Sequence, residues 1–590
     1  MTSAVLGVEK SFTSRTWVAR EADADLTAEI ARRSGVSEIV ARLLAGRGVR
    51  PDDVDFYLSP RLAAHLPDPC ILKDMQKAAE RVAEAVSGKE KIAVFGDYDV
   101  DGATSSSVLV QFLRAVSDAQ TVVRIPERDE GYGPTAEAME TFANGGATLI
   151  VTVDCGTTAF DALEGVAETT DIIVVDHHEP EVRLPSVYAL VNPKRLDEPA
   201  DNPCRHMAAV GVVFLLVVAV NRILRQRGFY CGGKTEPDLR RWLDLVALGT
   251  VCDVVRLRGV NRLFVKSGLM HMARRYNKGL AVLSELSGIK EAPTAYHLGY
   301  VLGPRLNACG RIGQAGLGMK LLCAADEAEA REIASRLDEL NVLRRQMCEE
   351  VLKQAIFQIE SRAEDAPLIY VWGKGWHSGI IGIIAGRLKD RYRRPAMVMS
   401  VEGGEVRGSG RSVAGLNMGA AVMAALEKGI LTRGGGHAMA AGFSLTEDKL
   451  PEFKAFLEDY MKTHTDGEIK DDDYLIDGVV DVGAVGGDLL ETLAGMEPFG
   501  EGNPEPRFAI ANVAASYVQV RKGGHVSCTL IGRDGRSRLR AIAFRAADSE
   551  IGQVLLKSKG ELFHVAGLIH ADTFRGEGQA QFIIEDIAPA

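Results

Sequence analysis

Three short apolar runs in this chain each end on an acid. Lys91-Ile-Ala-Val-Phe-Gly96 leads into Asp97, Leu149-Ile-Val-Thr-Val153 into Asp154, and Ile172-Ile-Val-Val175 into Asp176-His177-His178. Short runs rich in β-branched residues predict strands buried on both faces of a parallel sheet. From about 90 to 260 such runs alternate with helical spacing, the pattern of a doubly wound α/β domain. Residues 1–88 read as helical and as part of the same catalytic lobe. Residues 320–366 contain no Gly or Pro, and Ile333, Leu337, Leu340, Met347, Val351 and Ile359 follow helical spacing there. A helix from Asp326 to Ala363 would span ~57 Å at ~1.5 Å per residue, which predicts a connector between two lobes. Pro367–Trp372 and Ala396–Ser400 predict strands of a second α/β lobe. The polar run Lys462–Asp473 predicts a linker, and the short strands and Gly-containing turns beyond it predict a small β-barrel. The expected division is 1–88, 89–323, 324–364, 365–462 and 474–590.

Composition changes this picture little. The chain has 590 residues, 46% apolar and 25% charged, the balance of an ordinary globular protein too long for one core. Its longest apolar run, Met207–Val220, falls short of the ~20 residues of a spanning helix and predicts a core helix, with no membrane role. Met1–Arg20 lacks the apolar centre of a signal peptide. Nine cysteines without a CxxC pair predict reduced thiols in a cytoplasmic protein rather than disulfides or a zinc site. A net charge of −11 argues against a nucleic-acid binder that is basic throughout.

The strand-end acids carry the chemistry. In parallel sheets, ligands sit beyond the carboxyl ends of the strands. Asp97, Asp99, Asp101, Asp154 and Asp176 therefore meet His177 and His178 on one rim. So many like charges share a site only if cations neutralise them. Oxygen ligands with an imidazole suit Mn²⁺ or Mg²⁺ better than Zn²⁺. Bridging aspartates can hold two such ions ~3.5–4 Å apart, the spacing used for attack at phosphorus. Asp253, after Leu248-Gly-Thr-Val-Cys252, extends the set. Ser105 and Ser106 follow Asp101-Gly102 and are expected at a helix N-terminus, where amides favour anions. Any one of these acids alone reads more readily as a helix cap or turn residue; the whole set does not.

The C-terminal region adds Arg521, Lys522, Arg533, Arg536, Arg538, Arg540 and Arg545 against the single acid Asp534. With Tyr517 and Phe544 available for stacking, this is the composition of an OB-fold that binds single strands without sequence preference. A merely solvated strand face is the competing reading.

These segments resemble the successive motifs of the DHH phosphoesterase superfamily, named for the triplet at Asp176-His177-His178. Gly303-Pro-Arg-Leu-Asn-Ala-Cys-Gly-Arg-Ile-Gly313, the segment Gly375–Leu388, Arg407-Gly-Ser-Gly-Arg-Ser412, Gly434–Phe443 and Met496–Pro506 are similar to those of its bacterial single-stranded-DNA exonucleases. The resemblance runs in family order over about residues 50–590. Its departures, Val100, Cys252 and Arg256, touch no ligand. It implies two α/β lobes, a DHH catalytic domain and a DHH-associated domain, joined by a long helix and followed by an OB-fold barrel. It implies metal ligation by Asp99, Asp101, Asp154, His177 and Asp253, with Asp97 a ligand or close partner. Asp176 and His178 would orient the cluster and contact phosphate. Which histidine ligates stays open, and Asp176 is the candidate partner for the ligating ring's other nitrogen.

Substrate contacts are expected from Ser105, Arg305, Asn307, Arg311, Arg387, Ser409, Arg411 and His437. Trp376 is either a base-stacking surface or core. The implied activity is 5′-to-3′ degradation of single-stranded DNA to nucleoside 5′-monophosphates with two divalent cations, in DNA recombination and repair. A monomer working beside a single-strand-binding protein and a helicase is implied too. A phosphodiesterase for very short RNA or cyclic dinucleotides would lack the basic C-terminal domain, and an inert scaffold would lack the carboxylates.

Overall fold

The computed structural model describes residues 4–361, 366–464, 473–558, 560–572 and 579–590. The last residues expected in the connector (362–364) and most of the expected linker (465–472) lie outside them. The catalytic lobe is built on a five-stranded sheet ordered Thr121–Arg124, Ile92–Gly96, Leu149–Val153, Asp171–Val175, Ala189–Val191, parallel throughout. Gly96 pairs with Val153 and Val153 with Val175, so these three strands end level. Level ends put Asp97, Asp154 and Asp176 on one edge, as the sequence predicts.

Helices cover both faces. Ala209–Gln226 is long and apolar enough, by length and composition, to cross a membrane, but most of it is buried against Met75–Gly88, Val100–Val116 and Leu243–Cys252. It is a core helix, as the apolar run predicts. Burying each of its Val and Leu side chains contributes ~1.5–3 kcal/mol.

The connector runs from Glu327 to Glu360, 34 residues or ~51 Å at ~1.5 Å per residue. Asp326 caps it by accepting from the Glu329 amide at 2.9 Å. Ala330, Ala334, Leu337 and Leu340 pack into the catalytic lobe. Cys348, Val351 and Ala355 pack into the second lobe. One helix thus belongs to two cores and fixes their spacing.

The second lobe holds a five-stranded mixed sheet ordered Arg433–His437, Ala440–Thr446, Glu405–Arg411, Ala396–Glu402, Ile369–Lys374. The C-terminal domain is a closed barrel of Phe508–Arg521, His525–Ile531, Arg538–Ala543, Ala580–Pro589 and Phe563–Ala571, the last pairing back to the first. Register shifts at 510/513 and 516/519 bend the long first strand enough to serve both neighbours.

The N-terminal region departs from expectation. Met75–Gly88 does join the catalytic core. Ala24–Ser34 and Glu38–Ala45 instead bury Ile30, Leu43 and Leu44 in one core with barrel residues Phe508, Val513 and Leu530. Trp17–Ala19 pairs with Tyr474–Ile476, and the buried Trp17 indole donates to Asp586 at 2.9 Å. Helical periodicity reports that a face is buried, not against which domain.

Candidate metal centre and nucleic-acid cleft

The turn after Ile92–Gly96 folds tightly enough to return Asp99 and Asp101 to the strand end. A Cβ on Gly102 would lie 2.4 Å from the Asp97 carbonyl oxygen, so only glycine fits. Asp99 caps the helix Val100–Val116, accepting from the Gly102 amide at 3.0 Å. Asp154 has φ +62° and Val254, beside Asp253, has φ +57°. Left-handed backbone at an acid and at a β-branched residue is strain of the kind concentrated at functional sites.

Three sets of ligand atoms, each within 4.8 Å of one another, overlap here: Asp97, Asp99 and Asp154; Asp154, His177 and His178; Asp101, His177 and Asp253. Burial and Asp99 push the Asp97 carboxyl up to about 7. Burial and Asp253 do the same to Asp101. Burial and Asp99 do so to Asp253. Asp154 is driven well above the usual range by burial and the surrounding carboxylates. Among the described residues, Asp97 Oδ1, Asp154 Oδ1, Asp253 Oδ2 and His177 Nε2 are buried without a hydrogen-bond partner. Such orphaned acceptors, all directed into one space, fit divalent cations and little else.

The two histidines have different settings. His177 is buried, and Nδ1 lies 3.1 Å from the Met207 carbonyl, which can only accept, so Nδ1 carries the hydrogen and Nε2 is bare. Nε2 stands 3.4 Å from Asp154 Oδ1. His178 Nδ1 instead lies 2.8 Å from Asp176 Oδ1 and 2.9 Å from the Tyr132 hydroxyl. Asp176 also accepts from the Thr157 and His177 amides. Burial opposes ionisation of Asp176, but the His178 contact and these amides hold it well below the usual carboxylate range. Burial likewise opposes a charge on His178, yet Asp176 lifts it to about 9. The partner of the His177 ring is therefore Met207, and Asp176 serves His178; the sequence pointed to Asp176 for the ligating ring. Tyr132, between Gly131 and Gly133, went unnoticed in the sequence. Its flanking glycines were the available signal.

Beside the cluster lies a cleft of about 740 Å³ between the lobes. Tyr98, between Asp97 and Asp99, joins the two, with Arg128 5.0 Å over its ring and its carbonyl against Gly310 of the cleft wall. The cleft brings together Arg311, Ser409 and Arg411 with Arg128, Arg407 and His377, the last three unforeseen. Burial pushes the Arg311 guanidinium down to about 10 and lowers Arg411. Neither has a carboxylate ion-pair partner among the described residues; Arg411 donates to Ser409 Oγ at 3.0 Å. Partly desolvated arginines without acids are set for an anion.

The other expected contacts fall elsewhere. Arg305 pairs with Asp338 of the connector at 2.8 Å and is structural. Ser105 is fully buried inside its helix, past the first turn, because the helix begins at Val100. Trp376 is core, 5% exposed, with its indole donating to Gln354 at 2.7 Å. Asn307 is half-buried, and Arg387 and His437 are exposed; none of the three lines the cleft. On the barrel, Tyr517 is 80% and Phe544 57% exposed. Arg521, Lys522, Arg533, Arg536, Arg538 and Arg545 are exposed, while Arg540 is half-buried and paired with Asp572.

Three family models match the chain: "DHH family, N-terminal domain" over residues 91–250, "DHHA1 domain" over 365–463 and "RecJ OB domain" over 476–586. The chain is 34% identical to the single-stranded-DNA-specific exonuclease RecJ of Bacillus subtilis, over 97% of this chain and 70% of that protein. It is 33% identical to Escherichia coli RecJ, over 97% and 98%. The chain belongs to the RecJ family. Among solved RecJ structures, that of Thermus thermophilus RecJ with Mn²⁺ superposes with a TM-score of 0.79 at 28% identity, covering 96% of this chain and 78% of that one. The DHH model ends three residues short of Asp253 and the OB model covers the barrel, while the likeness to RecJ runs over 97% of the chain.

Proposed function

We propose that this chain is a metal-dependent exonuclease that digests single-stranded DNA from its 5′ end to nucleoside 5′-monophosphates. The observation that carries the reading is adjacency: orphaned acceptors of an acidic cluster lie beside a cleft where Glu127 and Asp129 stand on one wall, and where Arg311 and Arg411 have no carboxylate ion pair among the described residues. Asp97, Asp99, Asp101, Asp154, His177 and Asp253 would hold Mn²⁺ or Mg²⁺, the ions found with T. thermophilus RecJ. Bound there, two ions lower the pKa of water and neutralise charge developing on phosphate oxygens. His178, kept protonated by Asp176, faces the phosphate as a cation. Arg311, Arg411 and Ser409 take the terminal phosphate, which sets the reach from strand end to scissile bond. Tyr517, Phe544 and the exposed arginines of the barrel hold the trailing strand by stacking and charge.

The same reading places the protein in the cytoplasm, as a monomer acting in recombination and repair beside a single-strand-binding protein and a helicase. Its free cysteines, with no disulfide among the described residues, suit that compartment. Digestion of 5′- and 3′-labelled single strands and of blunt duplex, with and without Mn²⁺, tests it. Immediate release of a 5′ label as mononucleotide, dependent on metal and absent on duplex, is expected. Early release of the 3′ label, or equal rates on duplex, would overturn the polarity or the strand selectivity.

A further inference from the structure

A second group of basic side chains borders the metal centre, outside the cleft. Lys194 is half-buried, and its charge, with that of His178, opposes the rise that burial and Asp99 impose on Asp253. His206 precedes Met207, whose carbonyl meets His177 Nδ1 at 3.1 Å. Arg256 follows Asp253 by one turn of chain. The buried Asn261 ties two of these positions together: its Nδ2 donates to the His206 carbonyl at 2.6 Å and to the Arg256 carbonyl at 3.0 Å. Burial lowers His206, and the charges of Arg256, Lys194 and Arg205 lower it further, against Glu179. Lys194 pairs with Glu179 at 3.2 Å. Arg205, His206 and Arg256 have no carboxylate ion pair among the described residues, and His206 and Arg256 are exposed.

The far edge of this group is the loop that enters the barrel. The Leu257 amide donates to the Glu501 carbonyl at 2.7 Å, and Arg258 Nε to the Gly502 carbonyl at 2.8 Å. An ideal Cβ on Gly502 would stand 2.9 Å from Arg256 Cβ. The backbone at Arg256 is thus held by Asn261 on one side and by the barrel loop on the other, while its guanidinium stays unpaired. Arg256 is also a departure from the family motifs, so this cation is a feature of this chain. We propose that Arg256, beside His206 and Arg205, forms a phosphate-contacting ridge that carries the trailing single strand from the metal centre to the barrel. The proposal rests on the single-stranded-DNA reading above and names a subsite within it. Arginine on a fixed backbone suits phosphate contacts, which position a strand without reading its sequence. Glu179, already held by Lys194, and the exposed Glu501 are the acids that flank the ridge.

Steady-state digestion by the full-length protein with Mn²⁺, for wild type, Arg256→Gln, Arg256→Lys and His206→Gln, tests this on two substrates. One is a thymidine strand of about thirty nucleotides. The other is a 5′-phosphorylated dinucleotide, whose phosphates are only the terminal and the scissile ones and which ends before the ridge. Arg256→Gln should raise KM for the long strand about three- to tenfold and flatten its dependence on salt by about 0.7 in log–log slope, the loss of one phosphate contact. Its kcat should hold within about twofold, and KM for the dinucleotide should rise less than about twofold. Arg256→Lys keeps the charge and should recover most of the salt slope. His206→Gln should raise KM for the long strand alone in the same way, and it serves if Arg256→Gln folds poorly. An equal loss on both substrates would overturn the ridge, because the effect would then pass through Asp253. An unchanged KM and salt slope on the long strand would overturn it as well. Failure of the wild type to cleave single strands would overturn the single-stranded-DNA reading instead.

Discussion

Arg311 Nη1 donates to the Gly379 carbonyl at 3.1 Å, and the Arg311 carbonyl oxygen occupies the place where a Gly379 side chain would start, 2.2 Å from an ideal Cβ. The two lobes therefore meet backbone to backbone at the floor of the cleft. Gly379→Ala should force them apart and lower single-turnover cleavage about a hundredfold, as misplacement by about 1 Å can do. Mn²⁺ binding should be unchanged, because no metal-centre residue moves. Equal cleavage by this variant would show that the lobe spacing does not limit the reaction.

The histidines of the triplet should separate in their effects. His177→Gln removes a buried, unpartnered imidazole nitrogen aimed into the cluster and should weaken Mn²⁺ binding by at least about tenfold, in line with loss of a metal ligand or its support. His178→Gln should leave Mn²⁺ binding within a few-fold and lower kcat about 10²-fold, the scale of a lost acid–base or charge contact. Calorimetric Mn²⁺ titration alongside kcat decides between them; the reverse pattern would reverse the assignment.

Arg262 is a structural clasp. Its guanidinium, 1% exposed, donates to the carbonyls of Tyr57, Met496, Glu497 and Pro498 and stacks 3.9 Å over the Tyr57 ring. It ties the catalytic lobe to both the N-terminal segment and the loop that enters the barrel. Arg262→Ala removes the donor from the Tyr57 and Glu497 carbonyls, while Asn503 still donates to those of Met496 and Pro498, and should cost about 2–5 kcal/mol, seen as a lowered first transition in thermal unfolding. A lysine should not rescue it, since one ammonium cannot reach that fan of carbonyls.

His570 and Glu505 provide a pH-dependent contact between that loop and the barrel, 2.7 Å apart. The Glu505 hydrogen bond raises His570 above its ordinary 6.5, outweighing burial. A raised imidazole contributes its full stability below its unfolded value and loses it as pH climbs through the higher folded value. The Tm difference between wild type and His570→Gln should be largest near about pH 6 and shrink toward about pH 8. A difference that grows with pH would contradict the pairing.

The sequence by itself determined the parallel sheet and the acids on its strand ends, because those follow from local periodicity and one rule about strand ends, while their level register came from the strand pairing. It determined the connector as well, since an uninterrupted helical pattern needs no tertiary partner to be recognised. Arg305, Ser105 and Trp376 were beyond it: a motif position shows that a residue matters, while burial and partners decide whether it faces substrate or holds the frame. The same limit hid the packing of residues 17–58 on the barrel and the hydrogen bonds that the Ala209 and Val210 amides donate to Asp101. Both depend on contacts between residues far apart in the chain, where only the assembled core settles which neighbour satisfies a given polar group. The strand-end acids form one cluster, because level strand ends and the tight turn at Gly102 bring them to the same edge of the sheet.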